Sequence, residues 1–403
     1  MKRATRVVSR GMNAARRVAL MRASGIACLA LCACGSPHVA HDATVIGDDA
    51  AGTDVATADA ALDSYAGTGN RFGIGLVSPG STLDWDLAAD LAGPGGSVLL
   101  VFAGITRDTQ GPDPAWSEAV QQVYARGLVP VVRLGPPWGN EVVRDDSDDA
   151  AHAHYTALAA AYRRVVEALP RDPHLPLWIE VHNEPDLCYE WACSAGEGQG
   201  GYLPYQTTAH EYAAMLRDVA DALHAIGDPR ILVMNAGLAP GGAARCQCGG
   251  TDFSPGITSR DFLAEMEVAV PDVFAHVDGF ASHAYPAQGE GWGFFVPYEQ
   301  AGPGLTYFAR ELDVVGRTLP VFLTETGWTT SDGSNSRAQI ADWTVRAYQE
   351  VWLVDPRIVA VMPFQLRDPA WDAFGWVAPD GSHYPVYDAV RALRCQTIAG
   401  RCP

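Results

Sequence analysis

Two glutamates stand where an apolar run breaks off. Glu184 ends the stretch Trp178-Ile179-Glu180-Val181-His182-Asn183-Glu184 before Pro185, and Glu325 lies in Val321-Phe322-Leu323-Thr324-Glu325-Thr326-Gly327-Trp328, 141 positions further on. A carboxylate at the end of a β-type run adds nothing to core packing, because glutamate is almost never fully buried without a partner. Two carboxyl groups that face each other across a glycosidic bond can divide the work of cleaving it. One protonates the leaving oxygen; the other attacks the anomeric carbon or activates water. That division needs environments that push the two pKa values apart.

The elements that must hold such a pair can be read from residue 70 onward. Strand-like runs, rich in β-branched and aromatic residues and bounded by Gly, Pro or Asp, fall at Arg71–Val77, Ser97–Ala103, Leu128–Leu134, Leu175–His182, Ile231–Asn235, Val277–Ser282, Leu319–Glu325 and Ile358–Phe364. Asp278 and Gly279 interrupt the sixth. Helical spacing of three and four predicts helices over Leu83–Leu91, Pro114–Ala125, Ala151–Leu169, Thr208–Ile226, Arg260–Val268, Tyr307–Arg317, Ser336–Val354 and Tyr384–Leu393. Strict strand–helix alternation implies parallel strands joined by right-handed crossovers. Eight repeats imply an α/β fold of the closed (β/α)8 TIM-barrel type, one catalytic domain over residues 70–403. An open doubly wound sheet is the rival, and no G-x-G-x-x-G follows the first run to support a nucleotide fold. Active sites of such barrels sit at the C-terminal strand ends, which is where strands four and seven deliver Glu184 and Glu325.

Three motifs, Asn183-Glu184-Pro185, His283-Ala284-Tyr285-Pro286 and Thr324-Glu325-Thr326-Gly327-Trp328, resemble those of the clan A glycoside hydrolases, among them cellulase-like and xylosidase-like barrels. The resemblance implies a retaining mechanism with Glu184 as acid/base and Glu325 as nucleophile. It implies that Asn183 bonds the sugar 2-hydroxyl, that Tyr285 donates to the nucleophile, and that His283 bonds the substrate or one of the carboxylates. It also implies a stacking tryptophan at the end of strand eight. Here that strand ends Pro363-Phe364-Gln365-Leu366-Arg367-Asp368, with Trp371 just beyond.

Arg133 ends the third run. An arginine there can orient a carboxylate through a bidentate contact, although the related barrels place this residue more often on strand two; a rim salt bridge is the plainer reading. Glu180 shares a face with residues two positions away and is expected to line the interior, paired with Arg133, without a catalytic part. Among eleven tryptophans, Trp138, Trp191, Trp292, Trp328, Trp371 and Trp376 fall in expected loops at the catalytic end, with Tyr189, Tyr202 and Tyr205. Aromatic faces suit sugar rings, and Trp328 with one of Trp371 or Trp376 are the expected stacking residues; each can equally serve loop packing.

The first 34 residues carry seven Lys/Arg and no acid, then a short apolar run, which reads as a secretory signal. Leu31-Cys32-Ala33-Cys34 resembles a bacterial lipobox, which implies lipidation of Cys34 and a membrane link through that anchor alone, plain secretion being the alternative. Residues 35–69, rich in Ala, Asp, Thr and Gly, are expected to form a disordered acidic linker. Residues 35–403 hold 21 Lys/Arg against 47 Asp/Glu. So acidic a surface repels phosphate backbones and excludes nucleic acid as a partner; it also disfavours polyanionic sugars and leaves neutral glycans. Six cysteines follow the leader. Cys395 and Cys402 flank a short C-terminal loop and are expected to pair. Cys188 and Cys193 can pair locally or across loops with Cys246 and Cys248, since a bridge between Cys246 and Cys248 themselves would be strained. A metal site is disfavoured, because export favours oxidation and no histidine lies at ligand spacing. No metal and no cofactor is expected, and a monomer is. The expected function is an exported retaining β-glycoside hydrolase acting on a neutral poly- or oligosaccharide. The alternatives are a non-catalytic glycan-binding barrel and a transglycosylase.

Overall fold

The computed structural model describes residues 69–77, 80–137, 143–191, 205–239, 258–288 and 293–398. They contain eight strands: β1 Gly73–Leu76, β2 Ser97–Ala103, β3 Val129–Gly135, β4 Leu177–Val181, β5 Ile231–Met234, β6 Phe280–Ser282, β7 Val321–Leu323 and β8 Ile358–Val361. β1 to β5 form one parallel ladder and β6 to β8 another. Two isolated parallel bridges, Met234 with Gly279 and Phe72 with Val361, join the ladders at both seams. Backbone bonds reinforce them: Asp278 N–H donates to the Val233 carbonyl at 2.8 Å, and Val361 N–H to Arg71 at 2.9 Å. The sheet is thus a closed (β/α)8 barrel, as the alternation predicted.

The weak sixth run has a physical reason. Gly279 leaves room for the indole of Trp178, 3.0 Å from where a Cβ would stand, and the Asp278 carboxylate accepts the Val233 N–H at 2.8 Å. Both residues look like strand breakers in sequence, yet they seal the β5–β6 seam.

Parallel strands are covered on both faces, so their sequences are nearly continuous apolar runs. The inward residues form their own core of Leu99, Val129, Val131, Trp178, Leu232, Met234, Ala281, Phe322, Ala360 and Met362. The outward residues pack under the helices in a larger core. The inner core fills the barrel from below, so any polar chemistry must sit on top of it.

Helix starts follow their capping residues. Asp113 accepts the Ala115 N–H ahead of Pro114–Ala125. Thr258 with Asp261 and Ser336 with Gln339 form capping boxes for Ser259–Ala269 and Arg337–Ala347. Three helix expectations need correction. The third helix runs from Thr156 to Ala168 and not from Ala151. The span expected as one helix from Ser336 to Val354 is an α-helix to Ala347 followed by a π turn, Tyr348–Trp352. An extra helix, Tyr298–Leu305, precedes Tyr307–Val315; Gly302-Pro303-Gly304 concealed it, because those residues normally end helices. Among the described residues no helix is long and apolar enough to cross a membrane.

Candidate active site

Period two carries the inward face of four strands upward into a polar layer. β3 continues from Val129 and Val131 to Arg133, and β4 from Trp178 to Glu180. Beyond the strand ends, Ala281 leads to His283 and Phe322 to Thr324. Arg133 and Glu180 are register partners across the β3–β4 ladder, so their side chains meet side by side. Arg133 is 3% exposed and Glu180 is fully buried.

Past β4 the backbone turns sharply. His182 and Glu184 have φ of 79° and 37°, a left-handed region that non-glycine residues enter at some cost. The turn is fastened by His182 N–H to the Leu134 carbonyl at 2.7 Å and Glu184 N–H to the Gly237 carbonyl at 3.1 Å. It brings the Glu184 carboxyl back over the barrel. Gly237 is obligatory here, since a Cβ would overlap the His283 ring.

The predicted residues Arg133, Glu184, His283, Tyr285 and Glu325 converge. Arg133 spends each guanidinium nitrogen on a different partner: Nε on Glu180 Oε2 at 3.0 Å, Nη1 on Glu325 Oε1 at 2.5 Å, and Nη2 on His283 Nε2 at 2.9 Å. The Tyr285 hydroxyl donates to Glu325 Oε2 at 2.9 Å. His283 Nδ1 lies 2.7 Å from Glu184 Oε1. One oxygen each of Glu184 and Glu325, and one His283 nitrogen, lie within 4.8 Å of one another. Such a triplet could in principle ligate a cation, but the Arg133 guanidinium already supplies the positive charge against two of its members.

The environments of the two carboxyls differ in sign. Burial raises Glu184, and the negative charge of Glu325 adds to that rise, so it stays above the usual carboxylate range despite the His283 contact. Burial works against charge on Glu325 too, but the Arg133 guanidinium and the hydrogen bonds from Arg133 and Tyr285 outweigh it and hold Glu325 low. Glu180 is driven down to about 2, burial being outweighed above all by Arg133, with the Gly237 N–H adding to it. Burial lifts Tyr285 well above its ordinary value, reinforced by the charges of Glu325 and Glu184, so the phenol remains a donor.

Asn183 donates from Nδ2 to Glu190 Oε1 at 3.3 Å. Its Oδ1 is buried with no hydrogen-bond partner. Glu190 therefore fixes which end of the amide is left to accept a bond.

Two tryptophan expectations are corrected. Trp328 is 3% exposed, its indole N–H goes to the Val296 carbonyl at 2.8 Å, and it packs on Tyr298 and Trp343. It is a core residue with no face open to a ring. Trp376, also 3% exposed, belongs to the same core, and Trp191 is buried between Tyr155, His182 and Tyr212. Trp371 is half-buried at one end of an aromatic run that sequence reasoning missed. The run starts at Tyr285 and passes Phe294 at 4.7 Å, Phe374 at 5.5 Å and Phe364 at 5.5 Å before Trp371 at 5.6 Å. Phe364 lies two residues beyond the inward Met362 and is half-buried; its N–H bonds the Thr326 carbonyl at 2.9 Å, next to Glu325. Phenylalanine thus stands at the strand end where the resemblance implies a tryptophan. Arg337 pins the loop by donating to the Asp372 carbonyl at 2.7 Å and the Gly375 carbonyl at 2.8 Å.

Cys34, Trp138, Cys193, Tyr202, Cys246, Cys248, Trp292 and Cys402 lie outside the described residues. Cys188 and Tyr189 are described only as backbone of the short helix Cys188–Trp191. Cys395 lies on the last helix, Pro385–Thr397, and is disulfide-bonded; the expected partner is among the residues not described.

No protein-family model matches this chain, and no curated protein matches it in sequence. Solved structures share its fold. A monomeric β-xylosidase from Caulobacter crescentus CB15 is 16% identical with a TM-score of 0.53, over 82% of this chain and 68% of that one. A GH39 enzyme from Xanthomonas axonopodis pv. citri is 16% identical with a TM-score of 0.52, over 82% and 67%. An exo-β-1,4-mannosidase from Opitutaceae bacterium strain TAV5 is 16% identical with a TM-score of 0.51, over 81% and 59%. At these identities the likeness is one of fold: the chain shares the barrel of these enzymes.

Proposed function

We propose that this protein is a retaining β-glycoside hydrolase acting on a neutral poly- or oligosaccharide. The observation that carries the reading is the carboxyl pair itself: oxygens of Glu184 and Glu325 within 4.8 Å, one group held high and the other low. Retaining enzymes keep their carboxyls about 5–5.5 Å apart, whereas inverting enzymes leave room for a water. The names of the solved fold relatives, a β-xylosidase and a β-mannosidase, support the β stereochemistry.

In the first half-reaction Glu325 attacks the anomeric carbon. The leaving oxygen departs with the proton of Glu184, and a glycosyl ester forms on Glu325. In the second half Glu184, now ionised, takes a proton from water as the water attacks that carbon, and the Glu325 carboxylate is released. Arg133 and Tyr285 keep Glu325 charged and oriented before attack. The unpartnered Asn183 Oδ1 accepts a sugar hydroxyl, and Phe364 offers the ring face on which the reacting sugar rests. The basic leader and the lipobox-like segment ending at Cys34 support a reading of the enzyme as exported, either as a lipoprotein or secreted.

Glu325→Ala is expected to abolish hydrolysis of an activated aryl glycoside, with partial rescue by external azide and inversion at the anomeric carbon. Full activity in that variant would remove Glu325 as nucleophile. A panel of neutral glycans identifies the sugar; binding across it without turnover would favour a glycan-binding protein.

A further inference from the structure

The roles given to Glu184 and Glu325 leave Glu180 unused, although it is fully buried, ionised and bonded from three other strands. Oε2 accepts Arg133 Nε from β3 at 3.0 Å. Oε1 accepts the Gly237 N–H beyond β5 at 2.9 Å and the Thr324 hydroxyl beyond β7 at 3.0 Å. A buried carboxylate so fully satisfied is a rigid anchor, and what it anchors is the guanidinium.

Arginine has donors and no acceptor. His283 Nε2, 2.9 Å from Arg133 Nη2, must therefore present a lone pair. The carboxylates around His283 outweigh its burial and would push it up to about 10, but a second proton on Nε2 would point N–H against N–H. The contact decides for the neutral ring, with its hydrogen on Nδ1. Nδ1–H then donates to Glu184 Oε1 at 2.7 Å. With Oε1 occupied as an acceptor, the proton of Glu184 can sit only on Oε2. One guanidinium already faces two ionised carboxylates, Glu180 and Glu325, so a third buried carboxylate is best carried neutral and Glu184 keeps its proton. The other groups facing the cluster change nothing. Burial keeps His182 near 4 and so neutral. Burial holds Asp186 well above its ordinary value. Tyr285 keeps its proton.

We propose that Glu180 is a positioning residue: by anchoring Arg133 it locks His283 as the Nδ1–H tautomer and confines the catalytic proton to Oε2 of Glu184. The inference rests on the acid/base reading of Glu184 for its catalytic consequence, but not for the tautomer.

Two measurements test it. The first is 15N NMR of the imidazoles, with His283 assigned by loss of its signals in His283→Asn. The wild type is expected to show a neutral His283 protonated at Nδ1 at pH 7; an imidazolium or an Nε2–H ring would overturn the proposal. This readout requires no activity, so it stands even if Glu325→Ala proves fully active. The second is the pH dependence of kcat/KM in Glu180→Gln. An amide turns its NH2 toward Gly237 or Arg133 and loosens the guanidinium that holds Glu325 low. The acidic limb is expected to move to higher pH by about one unit, with mixed tautomers at His283. Equal loss at every pH, with unchanged limbs and an unchanged His283 signal, would reduce Glu180 to a structural part and overturn the proposal.

Discussion

Tyr285→Phe removes one oxygen and, with it, one of the two hydrogen bonds that hold Glu325 ionised. The phenol donates to Glu325 Oε2 at 2.9 Å, and Arg133 Nη1 to Oε1 at 2.5 Å. A hydrogen bond to a charged group is worth about 1.5–3 kcal/mol, and one pKa unit corresponds to about 1.36 kcal/mol. Loss of the phenol should therefore raise the pKa of Glu325 by about 1–2 units. The sign follows from the direction of the native shift. Glu325 is held low, its ionised form is the reactive one, and activity is lost as pH falls through its pKa. The acidic limb of kcat/KM should therefore move up by that amount. The basic limb reports Glu184, whose bond to His283 is untouched, and should move far less. The assay is kcat/KM against pH with an activated aryl glycoside, wild type beside variant, with thermal unfolding as a check on folding. An acidic limb that stays in place while the plateau falls would refute the claim that Tyr285 tunes the nucleophile. A shift of both limbs together would mean that the phenol acts on the whole cluster.

Glu184→Ala should slow substrates with poor leaving groups far more than activated aryl glycosides; equal losses on both would argue against proton donation. Trp328→Ala should cost about 3–5 kcal/mol of stability, as a large core truncation does, while the folded fraction keeps its KM. Phe364→Ala should do the reverse, raising KM with a smaller loss of stability, and a KM effect confined to Trp328 would exchange the two assignments. Glu180 is depressed from an ordinary 4.5 to about 2, so its ionised form stabilises the fold above pH 4.5 and that contribution fades as pH falls toward 2. It should be on the order of 3 kcal/mol. Denaturant titrations at pH 7, 4 and 3 should show a shallower acid loss in Glu180→Gln than in wild type, and parallel curves would sink the idea.

The strand count was legible because both faces of a parallel strand are covered, which leaves an apolar run with sharp ends. Boundaries suffered where local signals conflicted with long-range contacts. Gly279 reads as a strand breaker but makes room for Trp178, and Gly302-Pro303-Gly304 reads as a turn but lies within a helix. The tryptophans misled for a related reason. Composition and loop position suggested sugar platforms, yet burial turns Trp328 and Trp376 into core, and only packing shows that. Phe364 carries no motif of its own and is distinguished by its neighbours Trp371 and Phe374.

The sequence by itself determined the fold, and through the ends of the fourth and seventh runs it nominated Glu184 and Glu325. It also raised the Arg133–Glu180 pair, since period two puts both on inward faces. What only the tertiary structure decided is how one guanidinium is shared. Arg133 divides its three nitrogens among Glu180, Glu325 and His283, groups from β3, β4 and the segments after β6 and β7 that are up to 192 positions apart in sequence. A periodic pattern tells which face a residue occupies. It does not tell which of several facing charges receives a given donor, because that depends on barrel closure and on register between strands distant in sequence.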